Sequence, residues 1–176
     1  MRKLEGRTRK AVLLVHIGSA GTWLGMDLTF AVLLCTAMLT DNRTTAATAY
    51  QALEMVAVYP MLTAGLLTLL SGVILGLGSK YGLLRYWWVA VKLAINVLFM
   101  CLIVFALRPS VRGVSESGRL LADDPTTVVP YQDLLGPLIV GPSLLVVAMV
   151  LSVFKPWGRL RRTTPNSVAA REPVRR

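Results

Sequence analysis

The sequence predicts an all-α membrane protein, a transmembrane four-helix bundle with both termini in the cytoplasm. Hydrophobic residues make up 55% of the 176 residues and charged residues only 16%, which is more apolar than an ordinary soluble domain. Four apolar runs reach the length of about 20 residues that a helix needs to cross the hydrocarbon core of a bilayer. Basic residues collect at the two ends of the chain, and their position sets the predicted orientation.

Each apolar run is predicted to be a helix, because backbone groups in lipid must form their hydrogen bonds within the segment. The third run contains Lys92, whose charge opposes insertion. Its twelve Leu, Ile, Val and Phe residues contribute together about −4 to −7 kcal/mol, against about +3 kcal/mol for the lysine. Insertion is therefore still favourable. The four predicted spans are residues 11–39, 55–78, 86–107 and 134–154.

The charges that flank the spans predict which side of the membrane each flank occupies. Residues 1–10 hold five basic side chains and one acid, and residues 155–176 hold seven basic side chains and one acid. The link between the second and third spans adds Lys80 and Arg85, whereas the other two links have an excess of acids. Because cytoplasmic flanks collect Lys and Arg, both termini are predicted to be cytoplasmic. The tail from 155 to 176 is predicted to be disordered from its composition.

A formal net charge of +10 raises the question of a nucleic-acid partner. The basic excess lies at the membrane boundary, and the sequence has no recognisable nucleic-acid-binding motif. Attraction to the anionic head groups of a bilayer explains the charge better. The sequence therefore predicts a multi-pass protein of the plasma membrane, with no nucleic-acid partner.

The longest segment between spans, residues 108–133, is predicted to be an external loop. It contains several glycines and prolines and the adjacent carboxylates of Asp123 and Asp124. Calcium and magnesium sites need more oxygen ligands than two neighbouring carboxylates supply. A solvated loop is the interpretation that the composition favours.

Polar and aromatic residues share one face of the first predicted span. His16, Trp23, Asp27 and Phe30 fall within roughly 60° of arc at 3.6 residues per turn. Ionisable groups at membrane depth usually face a bundle interior or a watery cavity. This face is therefore the predicted interior of the bundle, with Asp27 as a buried polar group. The small-residue pairs Gly21/Gly25 and Gly72/Gly76 predict close packing against neighbouring helices.

Lys92 shares a face of the third span with Asn96 and Phe99. Counted from the cytoplasmic ends, His16 and Lys92 lie roughly 8 and 9 Å deep at 1.5 Å per residue, so the two residues are predicted to lie at one level. Each polar residue has a structural interpretation beside a functional one. Lys92 can extend to the inner interface, His16 can bond a neighbouring helix, and Asp27, if protonated, can donate a hydrogen bond. The functional alternative is the handling of an ion, a proton or a cofactor.

Two short motifs carry a resemblance to known membrane proteins. The segment HIGSAGTWLG at residues 16–25, followed by WWVAVKL at residues 87–93, resembles a domain-of-unknown-function family of small four-span integral membrane proteins. More distantly it is similar to the copper-resistance D type and to the membrane-bound protoporphyrinogen oxidase type. The resemblance implies a bundle that binds haem or a related tetrapyrrole, or handles copper. It implies His16 as the metal ligand, with Trp23, Lys92 and Asn96 around the cofactor.

The same residues favour some classes of function and argue against others. The hypothesis of a copper-handling function is weakened, because the sequence has no Met-x-x-Met or Cys-His cluster. Hydrolysis is disfavoured because the sequence has no phosphate loop, no HExxH and no nucleophile motif. Enzymatic activity is otherwise left open. The leading hypothesis is a haem-binding or redox-associated membrane protein, and the alternative is a non-catalytic transport or assembly subunit that works as a homo-oligomer or within a larger membrane complex.

Overall fold

A computed structural model describes residues 5–78, 86–124 and 126–154, and every regular element within them is helical. The all-α class is confirmed, and four helical stretches are long and apolar enough to cross a membrane: Gly6–Leu39, Arg43–Leu77, Trp87–Asp123 and Tyr131–Phe154. The elements are α1 (Gly6–Leu39), α2 (Arg43–Ala57), α3 (Tyr59–Leu77), α4 (Trp87–Leu102), a π-helical segment (Ile103–Leu107), α5 (Arg108–Asp123), a 3₁₀ turn (Tyr131–Leu134) and α6 (Leu135–Phe154).

Prolines explain two changes in backbone geometry along these helical stretches. Pro60 lies in the first turn of α3, where its missing N–H is tolerated, and α2 runs almost directly into α3 through Val58. Pro109 lies in the first turn of α5 and removes the bond that its N–H would make to Phe105. The helix before it is wider, and the Arg108 N–H donates to the carbonyl of Ile103, five residues back. The π-helical segment is thus the local change in backbone geometry that accommodates Pro109.

The expected loop at residues 108–133 is wrong over most of its length, because residues 108–123 form α5. This helix packs on α2, with Val111 and Val114 completely buried. A Cβ added at Gly118 would lie 2.7 Å from the Cβ of Tyr50, so glycine permits the close approach of the two helices. The glycine that resembled a loop signal is a packing residue.

The α2/α5 pair extends the bundle beyond the expected spans. Arg43–Leu77 is 35 residues long, or about 50 Å at 1.5 Å per residue, against a hydrocarbon core of about 30 Å. Glu54 lies between Arg112 and Arg119, at 3.9 and 3.8 Å. Such exposed ion pairs contribute at most about 1 kcal/mol each, so the buried face of α5 contributes more to the packing.

The core of the bundle runs along α1, which packs against α3, α2 and α6. Trp23, Phe30 and Leu34 of α1 are each at most 3% exposed. Large apolar side chains are also exposed on the outside of the bundle, as expected where lipid replaces water. Examples are Leu14, Val32, Phe105 and Phe154.

The two glycine pairs behave differently. The added Cβ of Gly72 would lie 3.2 Å from the imidazole of His16, so a close approach is present there. A Cβ added at Gly21 or Gly25 would meet nothing within 4 Å, so this pair packs against no other helix of the described chain. Outside the described residues lie the first four residues, the link with Lys80 and Arg85, and the tail from 155 to 176.

Candidate functional site

The inward face of α1 carries the site residues. Trp23 and Phe30 are buried, His16 and Asp27 are half-buried, and Ser19 is buried on the same face. Helical periodicity predicts this arrangement for the four residues of the stripe, because residues 7, 11 and 14 positions apart return to nearly the same side of a helix. The face is divided into a half around His16 and a half around Asp27.

His16 is held between α1 and α3 by polar groups. Its Nδ1 lies 3.1 Å from the Thr68 carbonyl oxygen and 3.0 Å from the Ser71 hydroxyl. A carbonyl only accepts, so Nδ1 carries a proton and donates it to Thr68. The Thr68 hydroxyl also donates to Ser19, at 2.8 Å. The cluster links α1 to α3 by hydrogen bonds between helices, the structural interpretation of His16.

Lys92 and Asn96 reach the same region from α4. Lys92 donates to the hydroxyl of Ser152 on α6. The Oδ1 of Asn96 is buried without a hydrogen-bond partner among the described residues. His16, Lys92 and Asn96 are thus brought to the bundle interior.

Aromatic packing lies between the His16 half and the Asp27 half. The rings of Trp23 and Phe99 have centroids 5.3 Å apart and are tilted by 59°, in the range where aromatic pairs attract. Gly65 of α3 lies against Trp23 and Met100, because an added Cβ would be 2.8 Å from the Trp23 ring and 2.8 Å from the Met100 sulfur. Trp23, counted in the sequence among the cofactor contacts, is therefore the packing centre between α1, α3 and α4.

Asp27 borders a cavity of about 230 Å³ between α1, α3, the α4/π-helical stretch and α6. It is the one ionisable side chain among the residues described as lining the cavity. Its Oδ2 is buried without a hydrogen-bond partner in the described part of the chain, and Oδ1 lies 3.3 Å from an added Cβ at Gly141. The other lining residues are Trp23, Phe30, Met61, Phe99, Leu102, Ile103, Ala106, Leu107, Gly136, Pro137, Val140 and Gly141.

The cavity opens sideways. Leu102 and Ala106 on one edge, and Gly136 and Val140 on the other, are exposed on the outer surface of the bundle. The opening therefore lies between the α4/π-helical stretch and α6. A π-helical segment often marks a functional site in a helix, and here it supplies Ile103, Ala106 and Leu107 to the wall.

Sequence reasoning missed the partners of the predicted residues. The missed residues include Ser71, Thr68 and Ser152, single hydroxyl groups in apolar runs that give little signal. Ser19 lies on the same face of α1 as His16, so helical periodicity could have identified it. Gly141 lies against Asp27, and Met61 lines the same cavity, only through the fold. The cavity is the product of four stretches of chain, so no local pattern marks it.

Haem bound at His16 stays a prediction from the resemblance. Because Nδ1 of His16 contacts Thr68 and Ser71, Nε2 is the nitrogen through which His16 would bind iron. However, the cavity beside Asp27 does not include His16 in its wall. The geometry thus favours Asp27 over His16 as the centre of a binding site.

Comparisons with known proteins add no relative. No family model matches the chain, and no curated protein or solved structure matches it. The resemblance to four-span membrane proteins therefore remains a prediction.

Proposed function

We propose that this protein is a non-catalytic membrane component, of the transport or assembly class, that binds a small lipid-soluble molecule within its bundle. The observation that supports the proposal is the cavity beside Asp27, with its sideways opening between Leu102, Ala106, Gly136 and Val140. Ligand sites are typically apolar cavities with a few polar groups that fix orientation. An apolar wall with one carboxyl group has that composition.

The proposal places the protein in a plasma membrane with both termini in the cytoplasm. Arg7, Arg9 and Lys10 are exposed at the start of α1, where they would meet anionic head groups at the inner surface. In this orientation the cluster around His16 lies in the inner half of the bilayer, and the α2/α5 pair projects outside. Asp27 and the cavity opening then lie in the outer half.

Assembly with a second copy or with a larger membrane complex is part of the proposal. The surface of α1 at Gly21 and Gly25 has no neighbour within 4 Å in the described chain. Small residues on an exposed helix surface let another transmembrane helix approach closely. A transport or assembly subunit would use such a surface for its partner, while the cavity on the other side of α1 stays open to lipid.

A bulky residue at the cavity opening should prevent binding. We expect Ala106→Phe to weaken the binding of neopentylbenzene, a neutral apolar probe, by at least tenfold, or about 1.4 kcal/mol, because the ring covers the opening. Binding is measured by titration of the protein in lipid nanodiscs, corrected with protein-free nanodiscs.

The matched control is Ala94→Phe, the same substitution at an exposed position of α4 that does not line the cavity. It should leave the affinity within about twofold. Equal binding in wild type and Ala106→Phe, or equal losses in both variants, would contradict binding through this opening.

A further inference from the structure

The cavity beside Asp27 has a charge and a wall that select among lipid-soluble molecules. We infer that its ligand is a lipophilic cation, an amine or quaternary ammonium group with an apolar tail, whose positive head lies against the Asp27 carboxylate. This inference rests on the proposed function and specifies the class of its ligand.

The carboxyl group supplies the first reason. Oδ2 of Asp27 has no hydrogen-bond partner among the described residues, and both ion pairs found within the described ranges involve Glu54 outside the cavity. A buried carboxylate without a partner is costly, and an opposite charge removes most of that cost. A bound cation would balance the charge of the carboxylate, whereas a purely apolar molecule would leave that charge unpaired.

The aromatic wall supplies the second reason. Trp23, Phe30 and Phe99 all line the cavity that Asp27 borders. The faces of aromatic rings attract cations, and tryptophan does so most strongly. Three rings and one carboxylate around a single space form a combination suited to an ammonium head, and the Met61 thioether adds a polarisable contact.

The dimensions and the opening supply the third reason. A volume of about 230 Å³ corresponds to roughly eight waters at about 30 Å³ each, so it accepts a head of on the order of ten non-hydrogen atoms. A longer apolar tail on the ligand would extend out of the cavity through the opening between Ala106 and Val140 and into lipid. In the proposed placement the opening lies in the outer half of the bilayer, so the ligand would arrive from the membrane.

Two probes of equal shape test the inference. Benzyltrimethylammonium and neopentylbenzene have the same heavy-atom skeleton and differ by the nitrogen and its charge. We expect wild-type protein in nanodiscs to bind the cation at least tenfold more tightly than the neutral probe, after correction for partition into protein-free nanodiscs. Asp27→Asn should weaken the cation at least tenfold and change the neutral probe by less than threefold.

Asp27→Glu keeps the charge and should keep the preference for the cation. If Asp27→Asn fails to fold, the preference of wild type and Asp27→Glu still decides the question. Neutral binding without a preference for the cation, or a cation affinity that Asp27→Asn leaves unchanged, would overturn the inference while the proposed function stands. If neither probe binds to the wild-type protein, the proposed function fails with it.

Discussion

Replacing Trp23 with alanine is expected to destabilise the bundle by about 3 kcal/mol, the lower end of the range for truncating a buried large aromatic side chain to alanine. Trp23 is 1% exposed and contacts Phe99 and Gly65. In a membrane the unfolded helices already lie in lipid, so the transfer of apolar surface contributes little. The loss comes from packing contacts and from the enlarged cavity.

Unfolding of detergent-solubilised protein, followed by circular dichroism as denaturing detergent is added, measures the change in stability. Trp87→Ala is the matched control, because Trp87 is 51% exposed at the start of α4. It should cost well under half as much. Equal stability of Trp23→Ala and wild type would show that α1 does not use this residue as its packing centre.

Enlarging Gly65 is expected to have the second largest effect. In Gly65→Ala the new Cβ would lie 2.8 Å from both the Trp23 ring and the Met100 sulfur, closer than real Cβ atoms approach other atoms. Met100 is flexible and can move away, but the Trp23 ring is enclosed. Overpacking of this kind costs about 1–3 kcal/mol, which exceeds the modest gain in helix propensity on replacing glycine by alanine.

The same unfolding measurement applies, with Gly113→Ala in α5 as control. Gly113 has open space around it, so alanine there should be neutral or slightly stabilising. Trp23→Phe shortens the ring that meets the new Cβ, so the double variant should lose less stability than the sum of the two single losses. Strict additivity, or an unchanged stability in Gly65→Ala, would contradict the contact between α3 and Trp23.

The fold class follows from the sequence because hydrophobic length is a local property. Four apolar runs suffice for four helices, and the 3.6-residue period places Trp23 and Phe30 on the inward face of α1 without any tertiary information. Helix lengths were less accessible. Residues 108–123 read as a loop because Pro109 and Gly118 are usual loop residues, whereas here one occupies a first turn and the other meets Tyr50.

The site could be predicted only as a set of residues on one face. His16, Asp27, Lys92 and Asn96 do face the bundle interior, but their partners come from other helices. Ser71 and Thr68 bond His16, Ser152 bonds Lys92, and Gly141 lies against Asp27. Which residues meet depends on the rotation and tilt of each helix, and those are set by packing between helices.

Anomalous diffraction from crystals grown with 4-bromobenzyltrimethylammonium tests most directly whether a ligand occupies the cavity beside Asp27. The bromine and the surrounding density should place the probe between Trp23, Phe30 and Phe99, with its ammonium head against the Asp27 carboxylate. The bromine peak should be lost in Ala106→Phe and kept in Ala94→Phe. A bromine found only on the outer, lipid-facing surface, or beside His16 instead of Asp27, would contradict the proposed site.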